Sequence, residues 1–144
     1  MDQLVEILGL HESNPRFRAL YERLAATEAP EQYVIEGKRT TNFRGAGISL
    51  DISEGVVVSW VLYLMQAPNW KTYSGTLPLG VDRRWSAEGV IDQLGAPLRD
   101  TTMRLRRMQY TLLGDLYVWF VFNGNGEMTR VHAATRASVP HLAV

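Results

Sequence analysis

Three short segments of this chain carry apolar residues at helical spacing. The first runs from Leu4 to Leu8 and is followed by Gly9. The second starts at Asn14 and Pro15, a pair typical of a helix start, because asparagine caps the first turn and proline lacks an N–H that would be unbonded there. Its apolar side chains recur at i, i+3, i+4 and i+7, and they are Phe17, Leu20, Tyr21 and Leu24.

The third segment has the clearest boundaries. Ser86 is its predicted N-cap, and Glu88 in the first turn favours the positive end of the helix dipole. Gly95 is predicted to end the helix in a left-handed backbone conformation, and Pro97 prevents its continuation. The predicted buried side chains of this helix are Val90, Ile91 and Leu94.

Apolar runs and alternating patterns predict antiparallel strands in much of the remaining chain. These runs are, in order, Tyr33–Ile35, Ile48–Ile52, Val56–Met65, 103–112, Leu116–Phe122 and Met128–Ala134. The segment Asn123 to Gly126 predicts a tight turn before the last of them. Residues 37–47 are polar and rich in glycine, so we predict that most of this stretch is loop.

The elements predict an α+β fold in which helices pack on one face of an antiparallel sheet. A helix, a Leu-Gly pair and a set of strands occur twice in that order, with Leu8-Gly9 corresponding to Leu94-Gly95. This order favours two helix–hairpin repeats, in halves 1–72 and 73–134. A chain of 144 residues without a long linker is also predicted to form one domain, 1–144.

Composition narrows the classes of partner. The chain has fifteen basic and fifteen acidic side chains and therefore no net charge, whereas a nucleic-acid or anionic-membrane surface needs a basic excess. It has no cysteine, so disulfides, thiolate catalysis and cysteine-bound zinc are excluded. The N-terminal sequence lacks the pattern of a signal peptide. We predict a cytoplasmic protein that binds neither nucleic acid nor membrane.

The sequence carries no pattern typical of catalysis or metal binding. His11, His132 and His141 lack the spacing of metal ligands. Glycine-containing segments 45–47 and 124–126 precede strand-like residues, which favours turns over phosphate-binding loops. Asp82, Asp92, Asp100 and Asp115 could supply a carboxylate pair, and Asp82 and Asp100 flank the third helix, but solvated charges near helix and strand ends are the favoured interpretation. We predict no enzymatic activity, no metal and no cofactor.

The aromatic strand 116–122 carries the candidate binding site. Its alternation directs Tyr117, Trp119 and Val121 to one face and the other apolar side chains to the opposite one. If helices cover only one face of the sheet, Tyr117 and Trp119 meet water and form a partner site. The alternative is that the N-terminal half covers this face.

Arginines on both sides of this strand are the candidate rim of the site. Arg104, Arg106 and Arg107 come from the preceding strand, and Arg130 comes from the following one. They either complement the charge of a partner or form a solvated basic edge that discourages pairing with other strands.

The segment from Tyr73 to Val131 resembles a known group of proteins. The motifs that carry the resemblance are Leu-Pro-Leu-Gly-Val, a capped helix ending in Leu94-Gly95-Ala96-Pro97, the aromatic strand, the Asn-Gly-Asn-Gly turn and Met128-Thr129-Arg130-Val131. They resemble the repeated helix–hairpin unit of small bacterial α+β proteins such as β-lactamase-inhibitor protein and the SmpA/OmlA outer-membrane assembly lipoproteins. Stand-alone cytoplasmic members resemble immunity proteins, which are encoded beside secreted toxins and bind them. The chain departs from the lipoproteins, because it has neither a signal peptide nor a lipidated cysteine.

The resemblance implies a cytoplasmic immunity protein that binds and occludes a cognate toxin with one face of its sheet. On this hypothesis Tyr117 and Trp119 anchor the toxin, while Arg104, Arg106 and Arg130 complement an acidic surface on it. The alternative hypothesis is an intracellular assembly or scaffold module of the same fold, without a toxin partner.

Overall fold

A computed structural model of the protein describes residues 3–138, whose strands form one antiparallel sheet. The eight strands are β1 Glu31–Ile35, β2 Lys38–Phe43, β3 Ile48–Ser53, β4 Val56–Tyr63, β5 Arg99–Thr102, β6 Arg106–Thr111, β7 Leu116–Phe122 and β8 Met128–Thr135. Their order across the sheet is β1-β2-β3-β4-β8-β7-β6-β5. Each half of the chain therefore contributes a four-stranded meander, and the last strands of the two meanders, β4 and β8, pair at the centre.

Three short α-helices accompany the sheet. They are α1 Gln3–Ile7, α2 Pro15–Ala25 and α3 Ala87–Leu94, with single 3-10 turns at Pro78–Gly80 and Arg136–Ser138. The Asn14 side chain accepts a hydrogen bond from the Arg16 N–H (2.9 Å), and the Ser86 hydroxyl accepts one from the Gly89 N–H (3.1 Å). Both predicted helix caps are therefore confirmed.

The predicted fold class is wrong. The α+β prediction placed a layer of helices on one face of the sheet, whereas helices of 5, 11 and 8 residues accompany eight strands, so the protein is dominated by its sheet. The apolar pattern did not indicate two of the strands, β2 and β5, so the predicted sheet was smaller than the observed one.

Strand β2 lies where a loop was predicted. Glu36 (φ 51°) and Gly37 (φ 80°) both have positive φ, the conformation of a two-residue hairpin turn, and they reverse the chain directly from β1 into β2. Only Thr41 and Phe43 of β2 have buried side chains, so its other positions accept polar residues. Hydrogen bonding to β1 and β3, rather than apolar burial, holds it in the sheet.

Strand β5 is an edge strand. All four of its residues are exposed, and their sequence is Arg-Asp-Thr-Thr. An edge strand with no buried face needs no apolar alternation, and a short charged edge resists pairing with other chains. The sequence pattern on which strand prediction rests is therefore missing here.

The two halves share one hydrophobic core. Its central side chains include Phe43 and Trp60 from the first half and Phe120 from the second, each no more than 1% exposed. Apolar residues of all three helices belong to the same cluster. The Trp60 indole N–H also donates to the Leu4 carbonyl (2.8 Å), which fixes α1 to the core side of β4.

The connection between the halves is bound to the first half by its backbone. The Lys71 N–H donates to the Arg44 carbonyl (2.9 Å), and the Tyr73 N–H donates to the Tyr63 carbonyl (2.7 Å). Gly47 lies under this crossing, where a Cβ atom would meet the Lys71 carbonyl oxygen at 2.6 Å. The chain therefore needs glycine at this point for close approach of two backbone segments.

Gly95 ends α3, but not in the predicted conformation. Its φ of 86° is positive as expected, whereas its ψ of −172° lies far from the left-handed helical region. This combination is accessible essentially to glycine alone. A cap in the left-handed helical region would tolerate asparagine better than other residues with a side chain. Because Gly95 has a different conformation, we expect no such advantage for Gly95→Asn.

Candidate binding surface

The sheet has two distinct faces, which we call the core face and the opposite face. The core face contains Val118 and Phe120 and packs in the main hydrophobic cluster. The opposite face contains the side chains that alternate with them along each strand. Cross-strand pairing aligns its central side chains in two adjacent rows, Gln109–Trp119–His132–Val61 and Arg107–Val121–Arg130–Tyr63.

Strand β7 is buried on both faces. Trp119 is only 6% exposed and Val121 is fully buried, although neither belongs to the main core cluster. Tyr117 is half-buried, and its ring centre lies 6.2 Å from that of Trp119. Trp119 thus forms the floor of the opposite face, and Tyr117 presents the more accessible aromatic ring. The first half of the chain extends the same sheet sideways through β4.

Two half-buried arginines flank β7 on the opposite face. Arg107 on β6 and Arg130 on β8 both pair with Val121 across the sheet, so they occupy the same row. Burial lowers the pKa of Arg130 below its usual range, and the charge of Arg107 lowers it further. Within residues 3–138 neither arginine has a carboxylate partner within ion-pair distance.

His132 lies beside these arginines in the next row. Burial, followed by the charges of Arg130 and Arg107, lowers the pKa of His132 to about 3, so its imidazole is neutral at pH 7. Its Nε2 atom is buried and has no hydrogen-bond partner in the described part of the chain. A buried polar atom without a partner costs free energy and is uncommon in folded proteins.

The N-terminal part of the opposite face has balanced charges, in contrast to this group. Asp51 accepts hydrogen bonds from the hydroxyls of Thr40 (2.7 Å) and Ser59 (3.1 Å), and its carboxylate lies 3.4 Å from the Lys38 ammonium. The unbalanced positive charge of this face is therefore concentrated around β7.

The structure brings together three of the five predicted site residues. Tyr117, Trp119 and Arg130 share the opposite face, and Arg104 and Arg106 do not. Arg104 is exposed in the turn between β5 and β6, although it was predicted to lie on a strand.

Arg106 lies on the core-face side of β6, opposite Phe122. Its guanidinium donates to both oxygens of Asp100 (3.0 and 2.8 Å) and to Glu88 (2.9 Å). These bonds hold the pKa of Asp100 below its usual range. Arg106 therefore has a structural role between α3 and β5, and its charge is neutralised within the chain.

Arg104 and Arg106 line a separate open cavity of about 530 Å³ at the end of the sheet. Asp100 and the turn residues Asn123 and Gly124 also line it. Because Asp100 binds Arg106, this cavity offers less uncompensated charge than the opposite face.

The two aspartates that flank α3 bind different arginines. Asp82 is bound by the Arg84 side chain at 2.7 and 3.0 Å, and Asp100 is bound by Arg106. No cluster of potential metal ligands occurs among residues 3–138. In the same part of the chain, no helix has the length and apolar composition needed to cross a membrane.

Edge strand β1 presents a second apolar surface. Val34 and Ile35 are each 71% exposed, and Tyr33 is 48% exposed. Such an edge offers free backbone groups as well as apolar side chains to another strand. It lies at the far side of the sheet from β7.

No protein-family model and no curated protein match this chain. Among solved structures, it is similar to a cysteine-rich secretory protein from Staphylococcus aureus, with a TM-score of 0.60 and 8% identity, over 93% of this chain and 46% of that one. It is also similar to an extracellular protein containing a SCP domain from Bacillus anthracis, with a TM-score of 0.62 and 11% identity, over 96% and 47% of the two chains. A DUF4309 family protein from Bacillus subtilis matches with a TM-score of 0.51 and 16% identity, over 78% and 76%.

Similarities at this level of identity show a shared fold and leave activity open. The chain spans about half the length of the first two proteins. None of the three is described as an immunity protein. The resemblance to immunity proteins therefore remains a hypothesis.

Proposed function

We propose that this protein is a protein-binding module whose binding surface is the opposite face of the sheet around β7. The observation that carries the proposal is a group of aromatic and cationic side chains that have no carboxylate partners in the described part of the chain: Tyr117, Trp119, Arg107, Arg130 and His132. Tyrosine, tryptophan and arginine are the residues that contribute most to binding at protein interfaces.

The burial of Trp119 changes its role in the proposal. A side chain that is 6% exposed supports the surface rather than reaching into a partner. We assign the direct aromatic contact to Tyr117 and the charge complementarity to Arg130 and Arg107. A standard interface buries about 800 Å² on each partner, which is about one tenth of the 8261 Å² surface of this chain.

Two forms of the proposal differ in the partner. In the immunity form the opposite face occludes a cognate toxin, and in the scaffold form it holds a component of an assembly. Two of the similar proteins are described as secretory or extracellular, whereas the immunity form requires the cytoplasm. Cell fractionation with an antibody against the chain therefore tests the intracellular location that both forms require, and protection on co-expression with the product of the adjacent gene separates the immunity form from the scaffold form.

Site-specific photo-crosslinking tests the proposed surface. A photoreactive phenylalanine analogue replaces Tyr117 on the opposite face or, as the control, Val34 on the edge strand β1. We expect the full chain, expressed in its native cell, to form a discrete adduct with one protein from position 117. An adduct from position 34 with none from position 117 would place the interface at the edge and overturn the proposal.

Charge variants then test the contribution of the arginines. With the crosslinked protein purified, we expect Arg130→Gln to weaken binding by about 2 kcal/mol, since truncating a buried charge at an interface typically costs this much. Arg104→Gln is the matched control, because it removes the same charge from an exposed turn outside the surface. Equal losses from both variants would show that only the net charge matters.

A further inference from the structure

We propose that Arg107, Arg130 and His132 form a binding site for one carboxylate, supplied by an aspartate or glutamate side chain of the protein partner. The inference rests on the proposed function, because it names the chemical group that the partner presents to this surface. It assigns a ligand to three residues that form no internal ion pair within residues 3–138.

The sheet geometry places the two arginines in one row, on either side of Val121. Arg107 and Arg130 flank Val121 on adjacent strands, so their backbones are separated by two strand spacings, or about 10 Å. Two arginine side chains bridge that distance to a shared anion above the small Val121 side chain. A carboxylate accepts paired hydrogen bonds from the planar fork of a guanidinium.

Among the described residues, the site lacks the internal counter-charge that three other partly buried arginines have. Arg39 binds Glu12 (3.0 Å), Arg44 binds Glu31, and Arg106 binds Asp100 and Glu88. Arg107 and Arg130 have no such carboxylate among the described residues, and each lies within the electric field of the other. Two like charges in a partly desolvated row repel, so an external carboxylate stabilises them.

His132 supplies a third donor when the site is occupied. The titratable and charged groups around it are Arg130 on its own strand, Arg107 on β6 and Tyr63 on β4. Burial raises the pKa of Tyr63, and the nearby charge of Arg130 lowers it in part. In the free protein burial keeps the imidazole neutral, and the charges of the two arginines add to this effect. A bound carboxylate offsets their charge, so the pKa of His132 rises, and its buried Nε2 gains a hydrogen-bond partner.

A protein carboxylate fits this site better than a polyanion does. The chain has no net charge, whereas nucleic-acid surfaces carry a broad basic excess. The positive charge is confined to one short part of the sheet, and Trp119, Val121 and Tyr63 provide an apolar surrounding. A single negative charge on an amphipathic peptide segment matches these features.

Nuclear magnetic resonance on the full chain tests the site with a defined probe. The probe is N-acetyl-glutamate methylamide, and its glutamine analogue is the uncharged control. We expect the glutamate probe to shift the His132 imidazole signals saturably and to raise the pKa of His132 by at least one unit, while the glutamine analogue does neither. Arg107→Gln and Arg130→Gln should each weaken probe binding at least tenfold, and Arg104→Gln should leave it unchanged.

Each contrary outcome has a definite meaning. No saturable shift with the glutamate probe in a folded chain overturns the carboxylate site. Tighter binding of inorganic phosphate than of the glutamate probe shows that the site selects phosphate, and it also overturns the inference. If the glutamate probe binds as expected but position 117 yields no adduct, the carboxylate site stands and the proposed protein-binding function fails.

Discussion

At the scale of single residues, the distinctive feature of this protein is a neutral histidine beside two arginines that have no carboxylate partner within residues 3–138. His132 is kept neutral mainly by burial, and the arginines add to that effect. The arrangement couples protonation of one side chain to the folding equilibrium, because unfolding releases His132 into water, where its pKa is about 6.5.

The first prediction concerns this coupling. Between pH 6.5 and about pH 3 the unfolded state binds one more proton at His132 than the folded state does, so stability falls as the pH falls, by up to ~1.4 kcal/mol for each pH unit. Urea unfolding at several pH values between about 4 and 7 measures this slope.

His132→Gln is the control for this prediction, since glutamine does not titrate and every other ionisable group remains. We expect the free energy of unfolding of the variant to depend less steeply on pH than that of the unchanged chain. Equal slopes for the two proteins would mean that His132 is not held neutral in the folded state.

The residues of the site were partly predictable from the sequence. Met108 and Tyr110 are apolar at alternate positions of β6, and both face the core. The same alternation assigns Arg106 to the core side and Arg107 to the opposite face, so the sequence already indicated which arginine lies on the binding surface. His132 offered no such signal, because its burial depends in part on β4, a neighbouring strand that is distant in sequence.

At the scale of elements, a turn and a connector position the two halves. The turn between β2 and β3 receives a backbone hydrogen bond from the connector after β4, from the Lys71 N–H to the Arg44 carbonyl. Their close approach is possible because Gly47 has no side chain, and its φ of 70° adds a second requirement for glycine.

The second prediction separates these two requirements. Gly47→Ala introduces a Cβ that overlaps the connector backbone and also strains φ, so we expect a loss of about 2–4 kcal/mol in the free energy of unfolding. Gly37→Ala has a similar φ, of 80°, but no atom within 4 Å, and we expect about 1 kcal/mol from strain alone. Denaturant unfolding measures both. Equal losses would show that the connector does not press on Gly47.

The predicted helices and strands were correct where the sequence shows capping residues or an apolar pattern that reflects burial. The capped starts of α2 and α3 and the strands β3, β4 and β7 carry such features and were placed within a few residues. Strand β2 was missed because backbone pairing holds a polar segment between two neighbours, and β5 was missed because an exposed edge needs no apolar side. The resulting error in fold class came from these polar strands.

At the scale of the whole molecule, two meanders share one core and one central pairing. Leu62 of β4 and Val131 of β8 are fully buried and pair directly across this centre. Because the core cluster contains side chains from both halves, neither half retains its buried surface without the other.

The third prediction is that the chain unfolds as one cooperative unit. Calorimetry should show a single transition with equal calorimetric and van't Hoff enthalpies. Leu62→Ala should destabilise the protein by about 2–5 kcal/mol, and the amides of β3 and β7 should lose hydrogen-exchange protection by similar amounts. A loss confined to β3, or two separate transitions, would indicate two independent units.

The central pairing of β4 with β8 also has a consequence for biosynthesis. A ribosome releases β4 long before β8, so the growing chain carries β4 as an open strand edge in which Leu62 still lacks its cross-strand partner Val131. Nascent chains with such edges are prone to aggregate and are typical clients of chaperones. The centre of the finished sheet is therefore the last part to close during synthesis, and the emergence of β8 ends the period of greatest risk.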